Sequence, residues 1–233
     1  MKYYYDLHIH SALSPCGDAD MTPNNIVNMS LLKGLDIIAV TDHNSCKNVR
    51  AVMEVAAGRL TVIPGMEVQT SEEVHVVCYF PTLEAAEEMD KIVTHKLPKI
   101  KNEPEIFGHQ YYMDSEDEIV GEEEILLVNS VEMDIYEVFE TVKKLGGAAV
   151  PAHIDRTSYS LLANLGFVPP DLSLTTVEIT AKNLKAMENE YKKYNILTSS
   201  DAHYLENIQE PENIIDICNK NAEKVIEFLC KKE

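Results

Sequence analysis

The chain has 233 residues, 45% of them apolar, enough for one large domain with a full core or for two small ones. Its formal net charge of -19 repels a nucleic-acid backbone at long range and predicts no footprint for a long duplex, yet leaves room for a small phosphorylated substrate if metal ions sit in the pocket. The apolar runs are strand-sized, and no opening segment reads basic, then apolar, then small, so a soluble cytoplasmic protein with no membrane contact is expected.

Seven strands are predicted in chain order: Tyr3–His8, Leu35–Thr41, Thr61–Val68, Val74–Phe80, Ala148–Ile154, Thr176–Thr180 and Ile196–Asp201. Runs such as "DIIAV" and "HVVCYF" are nearly continuous in apolar residues, which fits strands of a parallel sheet buried on both faces. Helices fall between them. Thr22-Pro23 reads as an N-cap and first-turn pair leading into "NNIVNMSLLKG", with Gly34 as its stop. "EMDIYEVFETVKKLGG" puts Ile135, Val138, Phe139 and Val142 on one face, and "LKAMENEYKKY" and "NAEKVIEFLCKK" read as amphipathic surface helices. Such alternation predicts an α/β barrel or a doubly wound sheet, as one domain over 1–233. From about Leu97 to Asn129 the rhythm breaks. "EIFGHQYYM" and "EILLVN" read as two strands joined by the acidic "DSEDEIVGEEE", a β-hairpin insertion that is either a solvated decoration or a lid.

Six of the eight histidines fall where predicted strands begin or end, beside carboxylates or turn residues. His8 and His10 close the first strand as H-x-H, and alternate strand residues share a face, so the pair can bind one ion. "AVTDHNS" brings Asp42 and His43, "IPGMEVQ" Glu67, "EVHVVCYF" His75, "AVPAHIDR" His153, and "LTSSDAHYL" Asp201 and His203. The carboxyl ends of parallel barrel strands meet at one face, and buried imidazoles are costly unless paired, so a shared metal site is predicted. Nitrogen and oxygen ligands suit zinc, manganese or iron better than calcium or a thiolate-bound ion. Ions bridged by a carboxylate make a hydroxide nucleophile and clamp phosphoryl oxygens. Asp42 and Asp6 are candidates to orient the imidazoles, Asp6 equally a turn or surface residue. Arg156 and Lys182 are candidates to hold a phosphate or carboxylate. The five cysteines (Cys16, Cys46, Cys78, Cys218, Cys230) include no CxxC pair and predict free thiols in a reducing compartment. Cys16 and Cys46, though close to the motifs, read as small space-fillers.

The ordered set H-x-H, T-D-H, G-x-E, H-V-x-x-Y, A-H and S-D-A-H, from His8 to His203, resembles the PHP (polymerase and histidinol phosphatase) family of metal-dependent phosphoesterases. The resemblance implies a distorted (β/α)7 TIM-like barrel with two or three divalent ions at the carboxyl ends of its strands. It implies that His8, His10, Glu67 and Asp201 hold one ion, that Glu67 bridges to a second held by His75 and His153, and that Asp18, with Asp20 in reserve, joins His43 and His203 on a third. Glu67, Asp42 and Arg156 are then the catalytic candidates. The expected activity is hydrolysis, by metal-bound hydroxide, of a phosphate mono- or diester of a small molecule, nucleotide or short oligonucleotide. One alternative is an amidohydrolase-type C–N hydrolase, although that group uses a bridging lysine where this chain has Glu67. Another is a metal-binding regulatory domain without catalysis.

Overall fold

The computed structural model describes residues 1–231. The chain opens with β1 (Lys2–Ile9), α1 (Pro23–Leu32), β2 (Ile37–Val40), α2 (Val49–Ala56), β3 (Thr61–Gln69) and β4 (His75–Tyr79). It continues with α3 (Leu83–Lys96), α4 (Pro104–Phe107), β5 (Tyr111–Met113), β6 (Ile119–Glu122), α5 (Ile135–Lys144) and β7 (Ala148–Pro151). The last part holds α6 (Leu161–Leu165), β8 (Thr176–Glu178), α7 (Leu184–Tyr191), β9 (Asn195–Leu197), β10 (Ile214–Asp216) and α8 (Ala222–Cys230).

Helix ends follow the sequence signals. Thr22 Oγ1 accepts the Asn25 amide at the start of α1, and Gly34 takes φ +76° just past its end. Asp134 caps α5 by accepting the Glu137 amide at 2.8 Å, and Asn221 caps α8 by accepting that of Lys224 at 2.9 Å.

The main sheet runs β10-β1-β2-β3-β4-β7, and β8-β9 forms a separate parallel pair. β1, β2 and β3 are parallel. β4 is antiparallel to both β3 and β7, which corrects the all-parallel expectation. The reason lies in the connection: only residues 70–74 separate β3 from β4, far fewer than the dozen or so a parallel crossover needs. Continuous apolar runs report burial on two faces and are silent on direction. The sheet curls: Ile154 N–H donates to Glu178 O at 2.9 Å, and Ile9 bridges Ala202 in parallel, so β8 and β9 close the space between β7 and β1.

Strand alternation sorts two apolar layers. Ile37, Ala39, Ile63, Val77, Tyr79, Val150 and Leu197 point inward and form a floor, plugged from below by Val225, Ile226 and Leu229 of α8. Ile38, Val40, Val62, Met66, Val76 and Cys78 point outward against Ile26, Val52, Met89 and Val138 of the surrounding helices. Above the floor the inward positions turn polar: Ile63 is followed by Glu67, Ile37 and Ala39 by His43, and Leu197 by Asp201, all in step with a period of two.

The insertion differs from its expected form. Its hairpin pairs β5, the end of the expected strand "EIFGHQYYM", with β6, which lies inside the acidic stretch expected as a hinge. "EIF" lies in α4 behind Pro104, and "EILLVN" makes one isolated bridge, Lys101 with Ile125. Proline at the first helical turn and Gly108 at φ +99° favour a short helical turn over an extended run. The segment is docked on the protein. Gln110, fully buried, donates to Glu123 O and Ile125 O and accepts the Leu127 amide; Tyr111 N–H donates to Ala12 O.

A tight approach tests this packing. A Cβ on Gly147, at the turn from α5 into β7, would stand 2.3 Å from Tyr79 O and 2.9 Å from Val142 Cγ1. Gly147→Ala is expected to lower unfolding stability by about 1–3 kcal/mol in urea titration; an unchanged midpoint would contradict the contact.

Candidate metal centre

Eight side chains converge above the floor. His8, His10 and Glu67 are essentially inaccessible, and His43, His75 and His153 are buried. Asp201 is nearly buried, and His203 is partly exposed at the rim. Three of them, His8, His10 and His153, break the alternation rule, and the backbone shows how. A bulge between Asp6 and Ile9 lets β1 face Tyr5 and Leu7 into the floor and His8 and His10 into the cup. His153 sits at φ +27° and Asp201 at φ +52°, left-handed conformations unusual for non-glycine residues and typical of functional positions. His75 reaches the cup because β4 is antiparallel, so that its first residue lies beside the end of β3.

Glu67 is the hub. Its Oε1 faces His75 Nδ1 at 3.0 Å, His8 Nε2 at 3.4 Å and His153 Nε2 at 3.4 Å. Its Oε2 faces His43 Nδ1 at 3.0 Å and His10 Nε2 at 3.5 Å. Asp201 Oδ1 lies 3.0 Å from His10 Nε2 and 3.3 Å from His8 Nε2, and Oδ2 lies 2.6 Å from Arg156. Three sets bring one ligand atom each within 4.8 Å: His8, His10 and Asp201; His43, Glu67 and His75; His10, His43 and His203.

Neighbours fix which nitrogen faces inward. Glu178 accepts His8 Nδ1–H at 3.0 Å and also the His153 amide. Asp42 accepts the hydroxyls of Ser11 and Ser14 and the Ser11 amide; Ser14 Oγ, its proton committed, accepts His10 Nδ1–H at 2.9 Å. Gln69 Oε1 accepts His75 Nε2–H at 3.0 Å. In its neutral form each of these rings turns a lone pair toward Glu67 or Asp201. Lone pair against carboxylate is repulsive unless a cation lies between them, so the donor set fits divalent metal. Glu67 Oε1, His43 Nδ1 and His153 Nδ1 are moreover buried without an aligned hydrogen bond among the described residues.

Without an ion, the carboxylates and imidazoles balance one another. Burial works to raise Glu67, but the charges of His75 and His8 and the close approach of His153 and His43 bring it well below the usual carboxylate range. Asp201 is lowered in the same way, His8 and His10 outweighing its desolvation. Burial opposes charge on His8, but Glu178, Asp201 and Glu67 together raise it well above an ordinary imidazole. His10 falls well below, through burial and the neighbouring His203 and His43.

Other sequence candidates land elsewhere. Asp18 does not join the cluster: its carboxylate accepts the Asp20 amide, and its own amide donates to His203 O at 2.8 Å. Asp20 is exposed. Asp42 stands behind His10 and touches the cup only through Ser14. Asp6 orients no imidazole; it accepts the amides of Ser200 and Gln209 and the Ser200 hydroxyl, bracing the loop that delivers Asp201. Arg156 lines the cup, whereas Lys182 is exposed outside it. Cys46 is buried as expected, but Cys16 is an exposed residue on the cup lining. Desolvation would raise its thiol, yet the neighbouring His203 and His43 rings bring it down to about 6. Glu178 and Gln69 were not singled out; their signal was an acid ending "TTVE" and an amide two residues past Glu67. A cleft of about 400 Å³ opens over Glu67, its far wall formed by Phe107, Leu126, Val128 and Asn129 of the insertion.

Two outcomes follow from this geometry. Glu178→Gln is expected to weaken metal binding about 10- to 100-fold in chelator competition, with the fold retained by circular dichroism. Adding zinc or manganese to chelator-treated protein should raise the thermal midpoint, by about 2.7 kcal/mol of stabilisation at 100 times the dissociation constant. No shift with any divalent ion would contradict a metal centre.

Comparison with known proteins places this arrangement. No protein of curated function matches the sequence. The lesion-specific endonuclease Q of Pyrococcus furiosus superposes with a TM-score of 0.68 at 19% identity, over 99% of this chain and 56% of that one. A complex of endonuclease Q with a 27-mer duplex, an abasic lesion at its active site, gives 0.66 at 18% identity, over 97% of this chain and 56% of that one. This chain thus spans about half the length of those two structures. A Bifidobacterium adolescentis protein assigned as a metal-dependent phosphoesterase gives 0.61 at 17% identity, covering 97% and 95% of the two chains. The duplex complex overturns the expectation that long duplex nucleic acid is excluded: endonuclease Q, about half of which shares this fold, takes a duplex substrate. Net charge sums every exposed carboxylate, whereas a duplex meets only the local surface, whose field bound ions can reverse. The profile of the PHP domain matches residues 6–230, and the chain belongs to that family.

Proposed function

We propose that this chain is a metal-dependent phosphoesterase, cleaving a phosphate mono- or diester in the cleft above Glu67. The carrying observation is the placement of Glu67, whose two oxygens face two different groups of imidazoles. His8, His10 and Asp201 would hold one ion, His75 and His153 a second shared through Glu67, and His43 and His203 belong to a third position. Divalent zinc, manganese or iron there would polarise a phosphoryl group and lower the pKa of water toward neutrality. Residues of the chain do the rest. Glu178, Gln69 and, through Ser14, Asp42 hold the imidazoles in the ligating tautomer. Arg156, half-exposed and anchored on Asp201, is placed to receive a phosphoryl oxygen. Phe107, Leu126 and Val128 shield one side of the cleft from water.

The curled sheet, with β8 and β9 between β7 and β1, supports reading the chain as one catalytic domain on a distorted (β/α)7 barrel, with residues 97–129 inserted as a wall. All five cysteines are free, which supports a reducing, cytoplasmic setting. The absence of a lysine at the Glu67 position favours phosphate-ester over C–N hydrolysis.

Glu67→Gln keeps the shape of the hub but removes its charge. Turnover of the best substrate in a panel of a chromogenic phosphate monoester, a phosphodiester, an abasic-site duplex and an N-acyl amino acid should fall about a thousandfold or more, equivalent to about 4 kcal/mol. Near-wild-type rates, or hydrolysis of the N-acyl compound alone, would overturn the reading.

A further inference from the structure

We propose that Tyr159 and Phe107 form an aromatic binding site in the cleft, and that the ester cleaved there carries a flat aromatic ring, a nucleobase or an aryl group, joined to its phosphate. The inference deepens the phosphoesterase reading and rests on it.

Tyr159 lies between β7 and α6, at φ +53°, a left-handed conformation that a bulky side chain rarely takes. Two contacts hold it there. Its carbonyl accepts the His75 amide at 3.0 Å, and its ring stacks on the His75 imidazole, with centroids 5.0 Å apart and planes 19° apart. His75 thus covers one face of the ring. The other stays open, for Tyr159 is 46% exposed and lines the cleft over Glu67. A ring that did no more than brace His75 could be buried on both faces. A strained backbone that keeps one aromatic face bare toward the cleft points to a ligand. Phe107 lines the same cleft from the insertion and is 43% exposed. The residue beside it fixes its place. A Cβ on Gly108 would stand 2.0 Å from Pro15 O, and Gly108 O accepts the Asn102 side-chain amide at 2.9 Å.

Two rings held by anchored backbone and left open are preorganised for stacking, since little side-chain freedom remains to be lost on binding. Hydrogen-bond readout is poor around them. Gln69 is committed at both ends, to His75 and Ser130, the Asn129 amide donates to Leu126 O, and Leu126 and Val128 are apolar. A flat ring would therefore be held by its face, with little regard to the groups on its edge. The cleft, of about 400 Å³, is within the range that holds a small molecule. It also reaches Glu67, Arg156 and Asp201, so a phosphate joined to the ring can lie over the metal positions.

The sequence contains no tryptophan, so Tyr159→Trp and Phe107→Trp each give the protein a single indole that reports on the cleft. In zinc-loaded protein, adenosine monophosphate, uridine monophosphate and phenyl phosphate should quench its fluorescence on mixing, and ribose phosphate should not. Quenching by the nucleotides alone assigns the ring to a nucleobase, and by phenyl phosphate alone to an aryl group. In kinetics, Tyr159→Leu should raise KM for an aromatic phosphate ester about 5- to 150-fold, the loss of one stacked ring, while KM for glycerol phosphate stays as in the wild type. An equal loss for both esters, with less metal bound, makes Tyr159 a support for His75 only and overturns the proposal. So does the absence of quenching in both tryptophan variants. Either result leaves the phosphoesterase reading standing. A wild-type protein that hydrolyses no phosphate ester with any divalent ion overturns both.

Discussion

A buried carboxylate surrounded by inward-facing lone pairs is the constraint on which the site depends. Glu67 is removed from water, and an ion of that size transferred to a protein interior costs several kcal/mol unless it is compensated. The ordinary compensation would be a lysine or arginine. Among the described residues the cup supplies only Arg156, and that side chain pairs with Asp201 at the edge, not with Glu67. What surrounds Glu67 instead are imidazoles whose outer nitrogens are already committed to Glu178, Ser14 and Gln69. Protonation of some rings can balance the charge when no ion is present: His8, opposed by burial but facing Glu178, Asp201 and Glu67, is raised. Only metal satisfies every inward atom at once. The supporting hydrogen bonds are thus as much a part of the centre as the ligands.

The same barrel interior must be apolar below and ionic above, and strand periodicity accomplishes the change. Along β3, Ile63 packs in the floor, Gly65 gives its side-chain volume to Thr41 and the Cys78 carbonyl, and Glu67 enters the cup. Along β9 and its extension, Leu197 and Asp201 do the same. This much was legible, because a period of two is written directly in the letters. The exceptions were not. His8 and Leu7 are adjacent yet face the same interior, which needs the bulge in β1; Ala152 and His153 do so through a left-handed residue. A bulge or a positive φ at a histidine leaves no compositional trace, since glycine is the only letter that announces such a turn.

Order and type of the converging residues could be read because the chemistry demands unusual letters at strand ends. The misreadings have physical causes of another kind. Asp18 was favoured over Asp20 from its distance to Thr22-Pro23, but choosing between neighbours in a turn requires knowing which side chain the backbone consumes. Here the turn uses the Asp18 carboxylate to cap itself. Glu178 went unweighed because a single acid at the end of a short strand is usually solvated, and its role exists only once β8 lies beside β1 and β7. Within residues 97–129 a hairpin forms, but between "YYM" and the acidic stretch: the apolar letters of "EILLVN" serve docking rather than a ladder, so they carried no information about pairing.

That docking joins parts of the site that are distant in the chain. Asn48, just ahead of α2, donates to Ser11 Oγ and Tyr111 O and accepts the Met113 amide, while Asp117 of the hairpin accepts from Thr22 and Asn24 at the head of α1. Asn44, beside His43, holds the Leu127 and Asn129 carbonyls and accepts the Gln69 amide. The wall of the cleft, the loop that carries Cys16 and the strand end that carries His43 are therefore one hydrogen-bonded unit. A substrate pressing on Phe107 or Val128 would bear on the same framework that orients the outer imidazoles. The inserted segment consequently contributes to how firmly the mouth of the cup is built, and not only to what the cleft admits.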